Sequence, residues 1–315
     1  MDQSRQLKDG VILTAVYMIL MLISGLVPVI SVVAVFLLPV PFTVYASRYD
    51  WKPAIVMFFA AAALSVLLTS VFGLALAIVM GIGGIMAGIA IRRNLSAYET
   101  LSRGTIGFVL GLVLLFVFSQ YALQTNLVTE INQMMQQSIN ASQDMMDEFG
   151  LVDLTEKQMD MVTDQLEMLR NLLPAWIAIG SLVLAWISQW VSYKVIDRLD
   201  SKALRFPPFR LLNLPVSLIW IYLVALILSL FDLDTSGMVF TAVNNVLMLT
   251  GIFMLLQGFS FIFFYAHEKH KSKALPIISI IVTVFLPFIF LFLIRLLGIL
   301  DIGISLKDRI SNDKT

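Results

Sequence analysis

The chain has 315 residues, 59% of them hydrophobic and only 13% charged, with 21 basic residues against 21 acidic and no cysteine. A mean hydropathy of +0.91, with about half the roughly 25% charged share of a soluble domain, excludes an ordinary water-soluble protein. Zero net charge gives nucleic acid no electrostatic hold, and the missing cysteines exclude disulfides, thiolate metal sites and cysteine nucleophiles.

The charged residues crowd into short patches that leave seven charge-free tracts, 10–47, 53–91, 104–129, 171–193, 211–231, 235–266 and 274–294, totalling 200 residues. Each reaches the about 20 apolar residues with which a helix crosses roughly 30 Å of hydrocarbon. Transmembrane β-barrels alternate polar and apolar at period two, whereas these tracts are continuously apolar. The sequence therefore predicts an all-α fold, a polytopic transmembrane helical bundle of about eight or nine spans with an external helical hairpin.

The first tract would run about 57 Å as one helix. Pro28 and the Pro39/Pro41 pair divide it into a helix near 11–27 and a proline-broken second helix near 29–46. No small-residue cleavage site stands at the end of this apolar run, so the first span is read as uncleaved. The second tract divides near Ser70 to Gly73 into helices near 53–70 and 72–91, and the other five give one span each. Four sections result: 1–123 with about five transmembrane helices, 124–173 as an external acidic hairpin, 174–300 with about four more, and a polar tail at 301–315.

Positive residues stay on the cytoplasmic side. A cytoplasmic N-terminus puts 15 of the 21 basic residues on inner segments and predicts a multi-pass membrane protein of that orientation. Nine crossings place Arg295, Lys307, Arg309 and Lys314 outside, against their preference, so the side of the C-terminus stays open. The segment Gln124 to Leu173 carries nine acidic and two basic residues, which suits the outer face. Leu127, Ile131, Met134, Met135 and Ile139 recur at helical spacing, as do Met161, Val162, Leu166, Leu169 and Leu173 beyond Gly150. Thr155 with Gln158 reads as a capping box that starts the second helix. The methionines of this hairpin read as packing residues.

Gly81, Gly84 and Gly88 run at intervals of three and four in the fourth span, and Gly104, Gly107 and Gly111 repeat those intervals in the fifth. Small residues so spaced let membrane helices approach closely. They predict a tight hairpin of these two spans, or a face that docks a partner subunit. Asn244, Asn245 and Gln257 lie in the eighth span, Asn213 opens the seventh, and Gln189 lies late in the sixth. These amides either line a small cavity for an uncharged or weakly polar solute or hydrogen-bond between helices.

No Asp, Glu, Lys or Arg is placed in the middle of a span, which speaks against an ion-coupled pump. The inner loop Lys194 to Arg210, with five basic residues around Phe206-Pro207-Pro208-Phe209, suits anionic headgroups or another protein. His267, Glu268 and His270 read as a solvated loop, since a zinc site needs further ligands. Without a Walker A sequence, H-E-x-x-H, G-x-S-x-G or a pair of intramembrane aspartates, no catalytic residue, metal or cofactor is expected.

The split first tract, the Gly-rich fourth span, the acidic insertion, Phe206-Pro207, Leu256-Gln257-Gly258 and the ending Leu297-Gly298-Ile299-Leu300-Asp301 come in a distinctive order. In that order the chain resembles, over nearly its full length, the YybS-like family, multi-pass membrane proteins of Firmicutes carried as a domain of unknown function. That family is distantly similar to the S-components of energy-coupling-factor transporters, helical bundles that capture a micronutrient and rely on a separate ATPase module. Many S-components dock their coupling subunit through Ala-x-x-x-Ala on the first helix, whereas this one reads Thr14-Ala15-Val16-Tyr17-Met18. The resemblance implies a transport-related substrate-binding component energised by a partner such as a coupling membrane subunit. The alternative is a non-transporting scaffold that gathers envelope or division proteins.

Overall fold

The computed structural model describes residues 3–26, 28–69, 71–122, 127–148, 168–234, 237–272 and 274–312. Among the described residues the chain forms thirteen α-helices, one 3₁₀ turn and no strand. They are α1 (Gln3–Leu26), α2 (Pro28–Leu37), α3 (Pro39–Tyr49), α4 (Trp51–Thr69), α5 (Val71–Arg92), α6 (Ala97–Ala122) and α7 (Leu127–Glu148). After these come α8 (Leu173–Asp200), α9 (Ser217–Leu228), α10 (Met238–Glu268), α11 (Ala274–Phe285), α12 (Pro287–Ile304) and α13 (Leu306–Asn312). Among the described residues eight helical stretches are long and apolar enough to cross a membrane, with α2 and α3 sharing one of them. The all-α polytopic bundle expected from the charge-free tracts is present.

Two compact units divide the chain, Met1–Met168 with Ile177–Phe206, and Leu169–Trp176 with Pro207–Thr315. Most of α8 belongs with the N-terminal helices in the first unit.

In the first unit α5 is the central element. Its small residues admit three neighbours at different azimuths. A methyl group placed at Gly84 would lie 2.6 Å from the Pro39 carbonyl oxygen, and one at Gly88 would lie 2.5 Å from that of Thr43, so these two glycines form the groove for α3. Gly81 faces the Phe58 ring of α4, and Gly83 faces the Phe108 ring of α6. On α6, Gly107 approaches Gly83 and Met86, Gly111 approaches Val79, and Gly104 meets Ala87 and the Ala185 methyl of α8. The tight hairpin of α5 and α6 is therefore real. Its contacts run through Gly83 with Gly107 and Gly111, while the strict Gly84/Gly88 pair serves a third helix. Residues one position apart on a helix differ by about 100° in direction, which separates these faces.

The expected proline-broken second span is α2 and α3, with Pro39 in the first turn of α3, where its missing N–H costs nothing. A capping box starts α6: Ser96 N–H donates to Glu99 Oε2 at 2.9 Å, and Glu99 N–H to Ser96 Oγ at 3.3 Å. Helix α7 covers the first helical series of the expected acidic hairpin, with Met134 and Met145 exposed. The second half, including Gly150, Thr155, Gln158 and Met161, lies outside the described residues.

In the second unit α10 and α12 pack in parallel. Gly251 meets Arg295, Gly298 meets Met254, and Gln257 meets Asp301, each pair 44 residues apart. The single span expected over 274–294 is instead two helices, α11 and α12, broken at Leu286 before Pro287. Proline clashes with a helical residue before it, and Leu286 accordingly takes φ −125° and ψ 60°. Because α11 restores the direction, the end of α12 returns to the end of the unit that carries Leu212 and Ser260. The tail thus shares one end of the unit with Arg210 and the loop at 209–214. The structure corrects the placement of charge, since Arg295 is the ninth of the 18 residues of α12 and so lies mid-helix.

Gly84→Leu has to displace backbone atoms of Pro39, whereas Gly25 has nothing within 4 Å of an added methyl group. We expect Gly84→Leu to lose about 3 kcal/mol of stability by overpacking and Gly25→Leu to stay near wild type, read as melting temperatures in mild detergent. Equal melting of the two variants refutes the groove.

Candidate functional site

A charged cleft of about 670 Å³ opens at one end of the first unit, lined by Arg5, Asp9, Ser47, Arg48, Tyr49, Arg92, Asp200 and Lys202. Helix ends bring these residues together. Helix α1 supplies Arg5 and Asp9, α3 ends at Tyr49, α5 ends at Arg92, and α8 ends at Asp200. Beyond those ends, Asp50, Asn94 and Ser201 take positive φ angles of 76°, 53° and 52°, which stop each helix. Arg48 in the last turn of α3 also suits the negative end of the helix dipole.

Arg48 organises the cleft. Its Nε donates to Asp200 Oδ2 at 3.0 Å and its Nη2 to Asp200 Oδ1 at 2.7 Å, a bidentate fork. Its Nη1 donates to Asp9 Oδ2 at 3.0 Å, and the Tyr49 hydroxyl donates to the same oxygen at 2.7 Å. Arg92 donates through Nη1 to the Arg48 carbonyl oxygen. The three ion-paired side chains are 21–23% exposed, so their attraction is only partly screened. Arg5, Arg92 and Lys202 are exposed at the rim. Four cations face two carboxylates already engaged with Arg48, which leaves the cleft with a net charge of +2. Such a concavity attracts an anion.

The amides singled out from the sequence fall into both units. Gln189, buried in the first unit, donates to the Ala97 carbonyl oxygen at 2.9 Å and to the Tyr193 hydroxyl at 2.7 Å. The other four belong to the second unit. Asn245 donates to the carbonyl oxygens of Asn171 at 2.6 Å and Thr241 at 2.7 Å, and its Oδ1 accepts from Ala175 N–H at 2.8 Å. It thereby caps the first turn of α8 from another helix. Asn244 donates to Phe240 O of its own helix at 2.9 Å, and Asn213 is exposed in the loop before α9.

Gln257, fully buried, belongs to a network that ties the tail to the loop at 209–214. Its Nε2 donates to Asp301 Oδ2 at 2.6 Å and to Leu212 O at 3.2 Å, while its Oε1 accepts from Leu214 N–H at 3.1 Å. Lys307 Nζ lies 3.3 Å from Asp301 Oδ2 and donates to Ser260 Oγ at 2.8 Å and to Leu212 O. Burial pushes the Lys307 ammonium below the ordinary lysine range, while the Asp301 charge pulls it back up. These hydrogen bonds are interhelical and helix-to-loop contacts.

Sequence reasoning missed the Arg48 cluster and the Asp301–Lys307 pair. The signal for the first was present: Asp9 and Asp200 stand in the same inner segments as the basic residues that fix orientation. Among the described residues no three potential metal ligands converge, His267, Glu268 and His270 included.

Residues 15–302 match the DUF2232 family, described as a predicted membrane protein. The chain is 29% identical over 310 residues to the uncharacterized protein YybS of Bacillus subtilis (strain 168), covering 98% of this chain and 100% of that relative. No solved structure matches.

Asp301→Ala leaves the partly buried Lys307 without its counter-ion. The expected loss is about 3 kcal/mol, with a smaller loss for Asp301→Asn, whose carbonyl still accepts from Gln257. Thermal unfolding in detergent measures both, and an unaltered Asp301→Ala refutes the network.

Proposed function

The chain belongs to the DUF2232 family of predicted membrane proteins, and from that premise we propose that it is a transport-related binding component of the bacterial plasma membrane. In this reading its N-terminus is cytoplasmic, its charged cleft takes a small anionic solute, and a partner protein supplies the energy. One observation carries the reading: a cleft of about 670 Å³ with a surplus of cations, held open by the fixed Arg48 fork. A concave site with a few convergent polar groups is the default place for a ligand. Arg5, Arg92 and Lys202 are exposed and ready to meet carboxylate or phosphate oxygens.

An anion replaces the uncharged or weakly polar solute expected from the sequence, because Gln189, Asn245 and Gln257 already hydrogen-bond within the protein. The positive-inside rule puts the mouth of the cleft on the cytoplasmic side, so the anion arrives from the cell interior.

A scaffold for envelope or division proteins is the second reading. It is favoured by α7, an acidic amphipathic helix with exposed Met134 and Met145. Deleting 126–170 then abolishes crosslinking to partners without unfolding the bundle.

The deciding experiment is mass spectrometry of acidic small molecules released from the detergent-purified full chain. We expect a co-purifying anion that falls at least tenfold in the Arg5→Gln/Lys202→Gln double variant. An extract without anions, or an anion that the double variant retains unchanged, overturns the reading in favour of the scaffold.

A further inference from the structure

In helices long and apolar enough to cross a membrane, Arg295 is a cation at mid-helix by two separate counts. It is the ninth of the 18 residues of α12, and its guanidinium rests on Gly251, where an added methyl group would lie 3.1 Å from Cζ. Gly251 is itself about 20 Å from one end of α10 and about 26 Å from the other, at 1.5 Å per residue.

Nothing described in the chain answers this charge. Arg295 Nε is buried and has no hydrogen-bond partner, and among the described residues no carboxylate pairs with the side chain. The carboxylate of α12 itself, Asp301, is held by Gln257 and Lys307. The neighbouring polar groups of α10 turn to their own helix, Asn244 donating to Phe240 O and Thr250 to Val246 O, and neither is hydrogen-bonded to Arg295. Yet Arg295 is only half-buried, and it borders the outward face made by Phe292, Leu293 and Leu296, which are 63%, 48% and 42% exposed. Lipid tails supply no acceptor for that face. An intramembrane charge pairs with another charge or marks a site.

We infer that the seam of α10 and α12 around Arg295 is a docking surface for a transmembrane helix of another protein, one that carries Asp or Glu at mid-bilayer depth. The occupant is a helix because only helices and closed barrels satisfy their own backbone in hydrocarbon. It is not a second copy of this chain, which brings another Arg295 to the seam and whose Asp301 is 3% exposed and already paired. The inference is independent of whether the cleft of the first unit binds a solute. Arg295 is the polar pin and the apolar side chains around it are the seat.

The test places a photo-crosslinking residue at Phe292 of the full-length chain in its native membrane. We expect one discrete protein adduct, retained in Arg295→Lys and reduced at least tenfold in Arg295→Leu. Purified Arg295→Leu is expected to melt no lower than wild type, since it only removes an unanswered charge. The captured helix must contain a mid-span Asp or Glu, and changing that acid to Arg must restore the adduct to Arg295→Glu. An adduct indifferent to Arg295→Leu, one made only with this same chain or only with lipid, or no adduct at all overturns the proposal. A marked fall in the melting temperature of Arg295→Leu also overturns it, by giving Arg295 a role within the fold.

Discussion

Hydrocarbon offers no hydrogen-bonding partner, so a polar group that these helices carry into the bilayer is costly unless protein answers it. That constraint explains why the buried amides are engaged. Gln189 serves Ala97 and Tyr193, Asn245 holds the start of α8, and Gln257 holds Asp301 and the loop at 209–214. A buried amide can look like the lining of a binding site in the sequence and act as a splice between backbone segments in the fold. The same constraint sets Arg295 apart from the other polar groups of α10 and α12.

The two units solve their packing differently. In the first, glycines on separate faces of α5 bring the backbones of α3 and α6 close to it, and the charges are left at the helix ends around Arg48. In the second, Gly258 and Gly298 bring α10 and α12 together, and the ends are closed by a buried polar network that includes a full ion pair. Dispersion between small residues is tolerant of the surrounding chemistry. A buried ion pair depends on the presence of both partners.

Composition alone made the membrane-embedded helical class legible, and the prolines of the second span located the break between α2 and α3. The hairpin of α5 and α6 was visible in its glycine spacing, but the assignment of each glycine was not, because spacing gives the period of a face and not the neighbour it meets. The break at Leu286 and the depth of Arg295 were missed for one shared reason: charged residues were used as the boundaries of spans, so Arg295 ended a helix instead of sitting inside one. The cleft was hidden because its central contact joins residues 152 apart, a separation at which periodicity carries no information. The family resemblance placed the chain among membrane proteins and is silent on the cleft.

Arg48 has one partner close in sequence and one far away: Asp9 is 39 residues earlier, and Asp200 is 152 residues later. At ribosomal speeds of about 5–20 residues per second, roughly eight to thirty seconds separate the synthesis of Arg48 from that of Asp200. Through that interval Asp9 is the only one of its two acidic partners yet made. The bidentate clasp of the finished unit therefore waits on the far end of α8.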